Sequence, residues 1–273
     1  SIWQFGEPAG GVTESWLARL ARAHGVVIGA SFLEAEGKHF HNTFSLFGPD
    51  GALCGRVRKH SLPFFEGWFF TPCSRPRFVD TALGRIAVGI CNDNQTASFL
   101  QEILDHRPDL ILMPHSAPTP EFGPATALFW RPYERQLREV APRFAGSLGI
   151  PVVMANKISL EPSTTRLPLV PLVQLRWRFR GHSCICDGEG HRLAYLEDRE
   201  GALVAEVELG GGHREARPAP RGYWSFAPSF APLAMGKLLL GFEAAGKLAY
   251  GRSRRRAEAA RRIAGAGAVT PSS

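Results

Sequence analysis

The sequence predicts an α/β protein built on mixed sheets. Three observations carry that expectation. Two pairs of short alternating runs read as hairpins, 40–47 with 52–57 around Gly48-Pro49-Asp50-Gly51, and 181–187 with 191–197. Apolar runs at 26–33, 84–90 and 109–114 lack a polar face, as strands covered on both sides do. Segments of helical period stand between such runs, which is the pattern of strand–helix–strand units.

Each element has its own signal. Residues 12–24 carry an apolar stripe at Trp16, Leu17, Leu20 and Ala21, with Thr13 placed to cap the start and Gly25 to end the helix. The strand 84–90 runs into Cys91-Asn92-Asp93-Asn94-Gln95, and an amphipathic helix follows over 96–106. A long helical stretch covers about 126–148 and leads through Gly149 to a strand at 151–156. Residues 58–78 and 157–176 read as irregular, and 202–208 as a closing strand. The domain expectation is one catalytic domain over 1–209 and a C-terminal extension with a basic tail over 210–273.

Composition narrows the function classes. At 44% hydrophobic and 21% charged, the 273 residues match an ordinary globular chain. The net charge of +7 is concentrated late, where Arg252, Arg254, Arg255, Arg256, Arg261 and Arg262 face one acid, Glu258. The remainder gives no reason to expect a nucleic-acid partner. The cysteines at 54, 73, 91, 184 and 186 form no disulfide framework and have no histidines at zinc-like spacing, so no metal is expected. A reducing cytoplasm is the expected setting. No signal peptide and no run long enough to span a bilayer is visible.

Cys91 is the leading candidate for chemistry. A thiol at the end of a strand and near a helix start is placed to act as a nucleophile, and a buried structural thiol is the competing reading. Attack on an amide or nitrile carbon also needs a cation or N–H pair for the developing charge and an acid for the departing amine. Arg58-Lys59-His60-Ser61-Leu62-Pro63 with Glu66 offers a lysine and a carboxylate. His115, after the 109–114 strand, is expected at the same sheet edge as Cys91 and could line the pocket or pair with the thiol.

The lysine segment and the segment Gly84 to Asp93, in this order and at this spacing, resemble the nitrilase superfamily of carbon–nitrogen hydrolases. The hairpin before the lysine and the segment from Arg180 through Glu208 are similar to the family's too, so the resemblance covers about residues 10 to 209. It implies a four-layer α-β-β-α sandwich and hydrolysis of a C–N bond in a small amide, carbamoyl compound or nitrile through a Cys91 thioester, without cofactor. It implies that Lys59 stabilises the tetrahedral intermediate, that Glu66 positions the lysine and the substrate amine, and that the Asn92 backbone N–H joins the oxyanion hole. It also implies a homodimer or higher oligomer. Asn92 departs from the aromatic the family commonly has after its nucleophile. The family's general base is a glutamate ending an early strand. Counting back from Lys59 offers only Glu7, in a loop before the first helix, so the family's first strand–helix–strand unit is expected to be absent. Glu34 and Glu36 stand where the family often has non-catalytic charge. A non-catalytic binding protein and an acyltransferase on the same scaffold are the other readings.

The tail is read as a helix over 233–250 followed by a disordered basic end. Contact with an anionic membrane surface and a subunit contact are its functional alternatives.

Overall fold

The computed structural model describes residues 2–121, 124–166, 172, 174–210 and 233–267. The order of regular elements is β1 (Glu7–Pro8), α1 (Val12–His24), β2 (Ile28–Glu36), β3 (His39–Phe47), β4 (Leu53–Arg58), β5 (Phe78–Thr81), β6 (Gly84–Val88), α2 (Ala97–His106), β7 (Leu110–His115), β8 (Pro118–Pro120), α3 (Pro124–Leu148), β9 (Val152–Asn156), β10 (Ser163–Arg166), β11 (Gln174–Phe179), β12 (Ser183–Cys186), β13 (Arg192–Leu196), α4 (Leu233–Arg252) and α5 (Arg254–Ala266). Their packing divides the chain into two units, Ser1–Leu83 together with Pro232–Ser273, and Gly84–Ala231. Among the described residues no helix is long and apolar enough to cross a membrane.

The first unit is built on the sheet β1-β2-β3-β4. The Gly48–Gly51 turn closes the antiparallel β3–β4 hairpin, and β2 pairs antiparallel with β3 from Ile28 opposite Phe47 to Glu36 opposite His39. β1 is only two residues long and lies parallel to β2, with Glu7 in register with Glu34. Strand alternation gives this sheet two faces. On one, α1 packs Leu17 and Ala21 against Phe47 and Ile28. On the other, Ala260 of α5 packs with Ala35, Phe40 and Leu33. The basic end is therefore helical through Ala266 rather than disordered. Arg256 explains part of this: its buried guanidinium donates to the Lys38 and Tyr250 carbonyls and lies 4.0 Å from the Tyr250 ring.

α1 begins differently from the sequence expectation. Gly11 is its N-cap residue, and the Thr13 N–H and hydroxyl both donate to the Glu7 carboxylate, at 2.7 and 2.6 Å. A carboxylate at a helix start satisfies an open N–H and favours the helix dipole, so Glu7 does the capping expected of Thr13.

In the second unit β6, β7 and β9 run parallel, and β12 and β13 continue antiparallel, in the order β13-β12-β9-β7-β6. α3 covers β9 and β12 with Leu137, Val140, Ala141, Phe144, Ala145 and Leu148, all essentially inaccessible. Cys184 and Cys186 lie buried on one side of β12, as their alternation requires, with sulfurs 3.9 Å apart. The region read as irregular contains β10 and the first residues of β11, which pair with each other and, through β11, with β8 in a three-stranded sheet. Ser163-Thr164-Thr165-Arg166 has no apolar alternation, which hid it. The expected strand at 202–208 does not form. Its residues alternate in exposure, but among the described residues no ladder pairs with them, and Val204 stays 90% exposed.

Candidate active site

The first unit supplies a buried cation. Lys59 follows directly on β4, its N–H donating to the Asn42 carbonyl at 2.9 Å and its carbonyl accepting from Cys73. Arg58 faces Glu34 and Thr43, so alternation turns Lys59 to the other face of the sheet. Lys59 is 1% exposed, and its Nζ lies 2.7 Å from each oxygen of Glu66. An ammonium that deep is tolerated only with opposite charge beside it, and the Glu66 carboxylate supplies it. Glu66 opens a short 3₁₀ turn, Glu66–Trp68, whose amides bond back to Pro63 and Phe65 and whose first carbonyl accepts from Phe69 and Phe70.

Behind Lys59 the strand end is clamped. The Arg58 guanidinium is bidentate to Glu34 at 2.7 Å on both arms, and reaches both oxygens of Glu36 at 2.7 and 2.8 Å. Thr43 adds a hydroxyl to Glu34 at 2.6 Å. Burial opposes the arginine's charge, and the bonds to Glu34 and Glu36 overcome it and hold the guanidinium firmly protonated. The Glu36 carboxyl sits below its usual range because Arg58 hydrogen-bonds it. Glu34 is thus wholly engaged by Arg58 and Thr43, and the Glu7 carboxylate is engaged by Thr13.

The second unit supplies the thiol. β6 ends at Val88, and Cys91 begins a 3₁₀ turn, Cys91–Gln95. Its φ of 52° is left-handed, which a non-glycine residue rarely adopts. Cys91 is partly exposed and not in a disulfide. The helix does not start at the thiol: α2 begins at Ala97 with Thr96 as its side-chain cap. A helix dipole fades within its first turn, so the local environment of Cys91 is the 3₁₀ turn rather than the end of α2. Asn92 is the half-buried second residue of that turn, and Asp93 is fully buried in it.

Asn94 holds the turn together, and nothing in the sequence pattern singled it out. It is fully buried, and its Nδ2 lies 2.6 Å from the Gly89 carbonyl, 3.2 Å from the Cys91 carbonyl and 2.9 Å from Nε2 of His115. Carbonyls only accept, so this nitrogen donates, and the network assigns His115 a lone pair at Nε2 and its proton at Nδ1. Gly89 makes the arrangement feasible: a Cβ there would stand 1.9 Å from Asn94 Oδ1. A glycine two residues before the cysteine, with an asparagine three after it, was the available signal. His115 is the last residue of β7, 7% exposed, with its carbonyl accepting from Lys157. Gln136 of α3 donates to Gln95 and ties down the far end of the turn.

The structure therefore brings Lys59 and Glu66 together in one unit, and Cys91, Asn92 and His115 onto neighbouring strand ends in the other, linked by Asn94.

The family model described as carbon–nitrogen hydrolase matches residues 2–214. The chain is 25% identical over 205 residues to an N-carbamoylputrescine amidase of Arabidopsis thaliana, covering 71% of this chain and 63% of that protein. It therefore spans less than two thirds of that relative's length. Among solved structures, a carbon–nitrogen hydrolase from Helicobacter pylori G27 superposes with a TM-score of 0.63 at 22% identity, over 72% of this chain and 67% of that one. A glutamate-to-glutamine mutant of the amidase from Nesterenkonia sp. AN1, described as showing Michael addition of acrylamide at the active-site cysteine, superposes with a TM-score of 0.51 at 19% identity, over 69% and 65%. The folds correspond, and with most of its length matched by the family model, the chain belongs to the carbon–nitrogen hydrolase family.

Proposed function

We propose that this chain is an amidase-type hydrolase of a small amide or carbamoyl compound, with Cys91 as nucleophile. The observation that carries the reading is the conformation of Cys91: a partly exposed thiol in a left-handed backbone at the end of a parallel strand, held there by a fully buried asparagine. A residue kept in so unfavourable a conformation points to a demand on where its side chain projects. The amidase names of the relatives support the choice of amide over nitrile.

In this mechanism the Cys91 sulfur attacks the carbonyl carbon, and Lys59 Nζ stabilises the oxyanion of the tetrahedral intermediate. Collapse breaks the C–N bond, and the amine or ammonia departs with the proton that the thiol gave up. Glu66 orients Lys59 and the departing nitrogen. Water then cleaves the Cys91 thioester, returning the thiol and releasing the acid.

The test is an ammonia-release assay on a panel of ω-amides, carbamoyl amines and simple nitriles, with intact-mass detection of the acyl-enzyme. Turnover and an adduct mapped to Cys91 are expected, both lost in Cys91→Ala. An adduct released only on adding an amine would make the chain an acyltransferase. Neither turnover nor adduct across the panel would sink the proposal in favour of a binding protein.

A further inference from the structure

We propose that α4, which lies beyond the residues matched by the family model, is a positioning element for the Lys59–Glu66 pair, acting through Glu243, Phe242 and Gly246. The functional weight of this proposal rests on the roles given above to Lys59 and Glu66.

Glu66 sits on a short turn that is hydrogen-bonded within itself and also packed against α4. Phe64, two residues before it, has φ of 54°, again a left-handed non-glycine backbone. Such a conformation persists only where the surroundings hold it. Part of that hold comes from α4: the Phe64 N–H donates to Glu243 Oε1 at 3.1 Å across 179 positions of sequence. One turn of helix brings further contacts to the same place. The Phe242 ring meets Phe65 edge-on at 5.3 Å and Trp68 at 5.4 Å. Gly246, buried on α4, lets the helix backbone come against the Trp68 indole: a Cβ there would lie 2.5 Å from Trp68 Cδ1 and 2.6 Å from Nε1. Gly67 is seated beside the Glu243 carbonyl and the Lys247 stem. The indole nitrogen is buried and finds no hydrogen-bond partner among the described residues, so the ring itself is placed by packing, the contact with α4 included.

Residues 64, 65, 67 and 68 thus all touch α4, and Glu66 stands in the middle of them. Lys59 is inaccessible and finds its carboxylate on that turn. Loosening α4 lets the Glu66 carboxylate swing away from Nζ, and a buried ammonium that loses this carboxylate draws in water. The helix acts through Glu66 and touches no substrate, which makes its three residues positioning residues.

The experiment compares the full chain with Gly246→Ala, Glu243→Leu and Glu243→Gln, and with Arg262→Ala on the exposed face of α5 as a control. Three readouts are taken below the melting range: amide hydrogen exchange of residues 64–70, acetylation of Lys59 by acetic anhydride mapped by mass spectrometry, and kcat with KM for the best amide. Gly246→Ala inserts the clashing methyl while improving helix propensity, and Glu243→Leu removes the acceptor that Glu243→Gln retains. Gly246→Ala and Glu243→Leu are expected to speed exchange and Lys59 labelling about tenfold, as for a locally opened segment, and to lower kcat about tenfold with KM within about threefold. Glu243→Gln and Arg262→Ala should stay within about twofold of wild type. Unchanged exchange and labelling in the first two variants overturns the proposal, as does equal loss in Glu243→Gln and Glu243→Leu. If Gly246→Ala does not fold, Glu243→Leu against Glu243→Gln decides alone. A wild-type chain that turns over no amide removes the functional reading, and the labelling data still show whether α4 braces the turn.

Discussion

Gly89 and Asn94 depend on each other. The asparagine fills the space a side chain at position 89 would take, and its amide bridges two backbone carbonyls and His115. Gly89→Ala is therefore expected to disorder the Cys91 turn, with a thermal-melt loss of about 1–3 kcal/mol from overpacking. Asn94→Leu keeps the volume and deletes the donors, which leaves buried carbonyls unsatisfied at about 1–3 kcal/mol. Its kcat should fall well beyond what that stability change explains, and a wild-type kcat would show that the asparagine is only structural. His41 is one source of pH dependence in the first unit. It is 6% exposed, and burial first, then the neighbouring Arg58 guanidinium, hold it down to about 4, against the pull of Glu34 and Glu36. Its folded value lies below the unfolded value, so the unfolded chain binds the extra proton. Stability is then intact above the unfolded value near 6.5 and is lost as pH falls from there toward 4, by an amount on the order of 3 kcal/mol. Glu36, also held below its usual range, loses its contribution as pH drops through 4.5 and below. A melting temperature falling steadily between pH 6.5 and 4, and a flatter profile in His41→Gln, is the expected result.

At the scale of the element, the end of β4 separates two jobs on adjacent residues. Arg58 anchors the strand through Glu34 and Glu36 on one face, and Lys59 presents its ammonium on the other. Arg58→Met strands two carboxylates, one of them fully buried, and is expected to cost about 3–5 kcal/mol in chemical denaturation. A loss below about 1 kcal/mol would mean the pair is solvated in practice. α5 shows the same selectivity among like residues. Of the six arginines from Arg252 to Arg262, Arg256 alone is buried, closing the Lys38 and Tyr250 carbonyls. Arg256→Ala should lower stability by about 1–3 kcal/mol, whereas Arg261→Ala should stay within about 0.5 kcal/mol. Equal effects in the two would refute the assignment.

At the scale of the whole molecule, the C-terminal helices pack with the N-terminal sheet as one unit. α5 covers Ala35 and Phe40, both nearly inaccessible, and α4 backs the Glu66 turn. Deleting 233–273 is thus expected to expose an apolar sheet face and to produce a chain that aggregates or binds a hydrophobic dye. A deletion variant that melts like the full chain would return 210–273 to the status of a dispensable appendage. The exposed arginines of α5 stay available for salt-sensitive contacts, since burial of Arg256 uses only one.

The sequence by itself determined most of the local structure. Periodicity located α1, the two hairpins and the strands around Cys91, because hydrophobic spacing is a local property that each segment carries with it. It also determined the candidate pair of Lys59 and Cys91, since the lysine and cysteine segments are contiguous words. Where a segment's pattern did not match its environment, the reading failed: β10 lacks apolar alternation and pairs with β11 all the same, and 202–208 alternates without a partner among the described residues. Only the tertiary structure decided what reaches across the chain. Glu7 caps a helix six residues on, Asn94 meets His115 across two strand ends, and Glu243 finds the Phe64 amide from 179 positions away. Contacts of that kind leave no periodic trace, because they depend on where folding delivers two distant backbones and not on the spacing of either.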